Sequence, residues 1–210
     1  MKTFALFAAL AATLLAAPNP PRPAECPRNA VQPNGMLPQG YIRPHLMLPI
    51  SAKRPGRVFR PVDWDMGKVT PKDFCSIIQY ELDPADTQGK ICNLVFDFPR
   101  RMEAQGLYEF SGSGKFNFTG YAIGTRAVYG VTTYNNQPPL GPNPPNPPAV
   151  MEPGNSYIIK SEPCGIPAGV RGPVTFAFSL CSEDTLFVFE ERHSICPLGF
   201  YIILTDDPNA

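Results

Sequence analysis

Histidine is almost missing from this chain of 210 residues: there are two, His45 and His193. A Ser-His-Asp or Cys-His set needs an imidazole within hydrogen-bond reach of its nucleophile. Only His193, in EERHSIC, falls in the part of the chain expected to fold, and adjacency on a strand would turn Ser194 to the opposite face. No G-x-S-x-G elbow occurs. The same shortage argues against copper and iron sites, and no cysteine pair has the C-x2-C spacing of a zinc site. Neither a catalytic set, a metal nor a cofactor is therefore expected. Net charge is lacking too: 18 basic and 18 acidic residues give +0, without the basic run that neutralises phosphates, so nucleic acid is not an expected partner. No run beyond the N-terminus approaches the roughly 20 apolar residues of a membrane span. No window of about a dozen residues carries an i, i+3, i+4 apolar stripe free of Gly and Pro.

What the chain does have begins at its first residues. Lys2 precedes the apolar run FALFAALAATLLAA, Phe4 to Ala17, which is short for a span and fits a secretory leader cleaved near Ala16 or Ala17. The expectation is a secreted, extracellular protein with a signal peptide at 1–17. The six cysteines agree: Cys26, Cys75, Cys92, Cys164, Cys181 and Cys196 are even in number and lie beyond the leader. In an oxidising compartment they read as disulfide candidates with connectivity left open. Cys26, far from the others, either staples the N-terminal arm to the body or pairs between chains. Asn117-Phe118-Thr119 is an N-glycosylation sequon, so Asn117 is expected on a solvent-facing strand edge.

Proline, at 27 residues, divides the chain. Residues 18–62 are expected to form an extended arm without a helix or central strand, because proline fixes φ and lacks an N–H. The basic cluster Lys53, Arg54, Arg57 and Arg60 within it reads as solvated. Residues 63–210 are expected to form one antiparallel, all-β domain, a β-sandwich or jelly roll. Period-2 alternation supports strands at 92–98, 115–118 and 175–180, with Asn93 and Asp97 on the water face of the first. Phe74–Leu82, Ala127–Thr133, Tyr157–Lys160, Leu186–Glu190 and Phe200–Leu204 complete the expected set. Ser111–Gly114 reads as a hairpin loop. A second Pro-rich segment, 135–154, contains Pro138, Pro139, Pro144, Pro145, Pro147 and Pro148. A stiff loop loses little entropy on docking, which makes it a candidate recognition element.

Paired carboxylates about 5–9 Å apart would suffice for a glycosidase, and Asp97, Glu109, Glu183, Asp184, Glu190 and Glu191 are available. Each also reads as a strand's polar face or a turn. Trp64, Tyr129 and Tyr134 are the aromatics whose exposure would signal stacking on sugar rings.

The segments CNLVFDFP (92–99), YEFSGSGKFNF (108–118), TTYNNQPP (132–139), PGNSYIIKSEPC (153–164) and CPLGFYII (196–203) occur in this order. Together, over roughly 70–207, they resemble the fungal But-two C-terminal domain. That family is named for proteins that bind a ubiquitin-like activating-enzyme subunit. The resemblance implies no catalytic residues, and the leader stands against a cytosolic partner. The expected function is a secreted, non-catalytic module that binds cell-wall polysaccharide or an extracellular protein. The alternatives are a carboxylate-dependent glycan hydrolase or lyase and, if the chain is not exported, a ubiquitin-like-pathway binding protein.

Overall fold

The computed structural model describes residues 25–61, 63–193 and 195–209; the expected leader and the start of the arm lie outside them. Ten strands among the described residues form three antiparallel sheets. They are β1 (Leu46–Ser51), β2 (Met66–Val69), β3 (Phe74–Leu82), β4 (Lys90–Phe98), β5 (Tyr108–Ser111), β6 (Asn117–Gly120), β7 (Asn155–Pro163), β8 (Val174–Cys181), β9 (Leu186–Glu190) and β10 (Gly199–Asp206). Sheet order is β1-β3-β8-β6 in one layer, β10-β4-β7 in the facing layer, and β2-β9-β5 in a third sheet. This is the expected all-β sandwich. The only α-turn among the described residues, Pro84–Thr87, starts where Asp83 accepts a hydrogen bond from the Ala85 N–H and Pro84 supplies a preset φ.

Phenylalanine fills the space between the sheets. The Phe96 and Phe200 rings stack at 4.3 Å, and Phe187 and Phe189 at 4.5 Å. Phe98 meets Phe187 at 5.0 Å, linking the facing layer to the third sheet. Each fully buried ring contributes about 1.5–3 kcal/mol by leaving water.

Several strands are buried on both faces, and this overturns part of the alternation reading. Asn93 and Asp97 point away from the phenylalanine core as expected, but they are buried, not solvated. Residues 25–42 cover Asp97, where Gln32 Nε2 donates to Asp97 Oδ2 at 2.8 Å, and Ile42 pairs with Ile202 at the free edge of β10; Asn93 instead donates to Ile203 O and accepts from Ser161 Oγ on the flanking strands. The outer face of the four-stranded sheet is covered in turn. Leu46, Leu48, Ile50 and Ile77 pack there against Tyr121 and Ala127 of the segment after β6.

Among its described residues the arm expected over 18–62 has no central strand, as expected, but it is not extended coil throughout. Six residues within it form β1, all buried, paired from Leu46↔Gln79 to Ser51↔Phe74. Pro49 is tolerated because β1 is the edge of its sheet, where a missing N–H breaks no second ladder. The folded body accordingly does not start at residue 63. Two further expectations fail. Ala127–Thr133 is a turn and not a strand; Val131 N and Thr132 N both donate to Val128 O. Ser111–Gly114 is no hairpin loop either, because β5 pairs with β9 whereas β6 pairs with β8. The segment crosses between sheets, fastened by Ser113 Oγ donating to Asp184 and Gly114 N donating to Thr185 Oγ1. Gly112, at φ +115°, lies so close to the Asp184 carbonyl that a Cβ would sit 2.4 Å from it.

Candidate functional site

All six cysteines pair, as Cys26–Cys196, Cys75–Cys181 and Cys92–Cys164. Cys26 is the staple that the sequence left as one of two options: it fixes the covering segment to the chain entering β10. Cys75–Cys181 links neighbouring strands β3 and β8. Cys92–Cys164 joins β4 to the residue just past β7. Asn117 is exposed on β6, the outer strand of its sheet.

The Pro-rich segment is held against the body of the domain. It runs from edge strand β6 to edge strand β7 and roofs the gap between the two layers. Gly141 N donates to Gly120 O at 2.9 Å, Ala122 N to Pro139 O at 2.8 Å, and Lys160 Nζ to Asn143 O at 2.6 Å. Gly120 suits this close approach, since a Cβ would come 3.0 Å from Pro144 Cα. Pro138 is buried, Pro145 and Pro147 are half-buried, and Pro139, Pro144 and Pro148 face solvent.

Beneath this roof lies a cleft of about 130 Å³, whose walls include Leu94, Ile123, Phe176 and the Cys92–Cys164 bridge. Its charged lining residues are Lys160 and Glu162, and they pair at 2.7 Å. Nothing in the chain's periodicity marked Lys160, Glu162 or Ile123 as neighbours of the loop; only the register of β7 and the path of the roof bring them together.

A second, open groove of about 250 Å³ lies on the outer face of the four-stranded sheet. Trp64 and Tyr129 stand at its side, 51% and 42% exposed, with ring centroids 5.0 Å apart. Its polar lining is His45, Gln79, Glu81 and Arg126. Tyr134, the third aromatic singled out, is exposed but does not line this groove.

The acidic residues do not converge. Glu190 pairs with Arg192 at 2.7 Å, Asp184 holds the crossing segment, and Glu109 and Glu183 are exposed. Burial raises Asp97 to about 6 despite hydrogen bonds from Ser156 and Gln32. Burial raises Glu191 to about 9, helped by the Asp65 charge and opposed by Arg43. Neither of these two lines either cleft, and each cleft has a single carboxylate, Glu162 in one and Glu81 in the other. Neither of these two clefts therefore carries the carboxylate pair of a glycosidase. Among the described residues, no cluster of three or more His, Cys, Asp or Glu is placed to hold a metal ion, and no helix is long and apolar enough to cross a membrane.

No curated protein and no solved structure matches the chain. A family model described as "Ubiquitin 3 binding protein But2 C-terminal domain" matches residues 43–193. The match opens just before β1, so it takes in the strand that proline content had hidden, together with the cleft's roof and the aromatic groove. It spans well over half of the sequence, and the chain belongs to the But2 C-terminal domain family.

Proposed function

We propose that this protein is an exported, non-catalytic binding module whose partner is an extracellular protein that inserts one apolar side chain beneath the Pro-rich roof. The observation that carries this reading is the cleft itself: apolar, open at the mouth, and closed above by a loop pinned to both edge strands. Its volume of about 130 Å³ is close to that of apolar cavities that take up a single benzene ring, about 150 Å³. Lys160 is already occupied by Glu162 and the Asn143 carbonyl, so the mouth offers no spare cation for an anionic ligand. A Phe- or Leu-like anchor in a desolvated pocket, ringed by weaker contacts, is how a small interface concentrates its affinity. The family description names a binding protein, which supports binding over catalysis. Three disulfides and the N-terminal apolar run support export, since cytosolic thiols are kept reduced.

The test uses N-acetyl-phenylalaninamide as a probe of the anchor. Titrated into the purified protein, it shifts the backbone amide resonances of Gly120, Gly141 and Lys160. Ile123→Glu, which places a charge at an exposed position of the mouth, weakens that binding at least tenfold without changing the melting temperature. A probe that moves no cleft amide sinks the reading. The family's name also favours a second one, binding to a ubiquitin-related protein inside the cell. Recovery of the chain from the cytosol with six free thiols would support it over export.

A further inference from the structure

We infer that the groove on the outer face of the four-stranded sheet is a binding site for neutral β-linked glucopyranose chains, separate from the cleft under the Pro-rich roof. A β-glucopyranose with equatorial substituents presents an apolar face of C–H groups and a rim of hydroxyls. Its recognition therefore needs an exposed aromatic face beside hydrogen-bonding groups that are already held in place. The groove has both.

Trp64 and Tyr129 supply the aromatic wall, tilted 48° to one another and half exposed. An exposed aromatic pair is costly to leave in water, and no element of the described chain covers it. Tyr129 is not on a floppy tip. Its turn is closed by Val128 N donating to Thr132 Oγ1 at 2.8 Å and by Thr132 N donating to Val128 O at 2.9 Å.

Gln79 is the keystone of the polar floor. It is buried in β3, at 2% exposure, and its two amide atoms are both engaged. Oε1 accepts from Ala127 N at 2.7 Å, which anchors the Tyr129 turn to the sheet. That bond orients the amide, so Nε2 is the atom that faces His45 Nε2 at 3.1 Å and donates to it. Glu81 Oε1 lies 3.6 Å from the same His45 Nε2, and Arg126 is exposed and makes no ion pair among the described residues. A carboxylate accepts from two neighbouring hydroxyls, and a guanidinium donates to two oxygens. Mixed charge at the rim suits a neutral ligand rich in hydroxyls better than it suits a polyanion.

Trp64 is the single tryptophan of the chain, so its emission reports on this groove alone. The intact purified protein is titrated with chitohexaose, laminarihexaose and cellohexaose, whose β1,4-N-acetylglucosamine, β1,3-glucose and β1,4-glucose linkages distinguish the sources of the shared chemistry. At least one should shift and quench the emission. The matching insoluble polymer should then retain the protein, with retention falling at least tenfold in Trp64→Ala and in Tyr129→Ala. Ile123→Glu at the other cleft should leave retention unchanged, so the failure of one site does not imitate failure of the other. Near-wild-type melting temperatures exclude unfolding as the cause. The inference is overturned if none of the three sugars changes the emission, if Trp64→Ala is retained as well as the wild type, or if the groove responds to a protein and to no sugar.

Discussion

Glu191 is an anomaly at the scale of one residue. It follows β9, is 6% exposed, and neither carboxyl oxygen has a hydrogen-bond partner among the described residues. Its chain packs over Gly199, where a Cβ would come 2.8 Å from Glu191 Cγ, so a glycine with φ +127° opens β10. A buried unpaired carboxylate is costly, and the group responds by keeping its proton, with its pKa lifted from 4.5 to about 9. The effect on stability follows in sign. Between about pH 4.5 and pH 9 the unfolded chain has released this proton and the folded chain retains it. Stability therefore falls as pH rises, by about 1.4 kcal/mol per pH unit within that window. Glu191→Gln keeps the shape and removes the titration. Its melting temperature should exceed that of the wild type at pH 8 and approach it near pH 4. A constant difference between the two across that range would contradict the burial account.

At the scale of elements, the N-terminal cover and the β4 face beneath it behave as one unit. Asp97 accepts from Gln32 Nε2 and from Ser156 Oγ, and Asn29 Nδ2 donates to Ser156 Oγ at 2.7 Å. Gln32→Ala leaves the buried carboxylate one donor short, at a cost of about 1–3 kcal/mol at neutral pH. The loss should shrink near pH 4–5, where Asp97, raised to about 6, is protonated in the folded state. Hydrogen exchange should accelerate across residues 29–42 first; uniform acceleration through β4 and β8 would show that the cover is not a separable unit. This element also marks the limit of what the sequence tells. Phe74–Leu82 and Leu186–Glu190 were legible to the residue because their apolar runs are bounded by turn residues. Asn93 and Asp97 alternate with apolar neighbours as a solvated face does, and nothing local records that β7, β10 and, at Asp97, the N-terminal segment bury them. β1 was hidden by Pro44 and Pro49, since proline argues against a strand without saying whether the strand is an edge. The aromatic wall was legible as Trp64 and Tyr129, but its polar floor was not. Gln79, His45 and Arg126 are far apart along the chain and meet only through the β1–β3 register and the Ala127 contact.

At the scale of the whole molecule, the three disulfides divide the labour of holding the layers. They close long stretches of chain, with separations of 170, 106 and 72 residues. In the chain-entropy account each removes about 4–5 kcal/mol of freedom from the unfolded state, although measured losses run at about 2–5 kcal/mol. Stability alone would then make the bridges equivalent, but their positions do not. Cys92 and Cys164 line the cleft under the Pro-rich roof, whereas Cys26–Cys196 fastens the cover on the other side of the same sheet. Paired substitution of Cys92 and Cys164 by Ala should lower stability by about 2–5 kcal/mol and also weaken N-acetyl-phenylalaninamide binding, because β7 and its roof lose their tie to β4. Paired substitution of Cys26 and Cys196 should cost stability in the same range while cleft binding stays as in the wild type. Chemical denaturation gives the first quantity and amide shifts at Gly120 and Gly141 the second. If both pairs weaken the probe equally, the bridges act only through global stability, and the cleft is not a locally built feature of this sandwich.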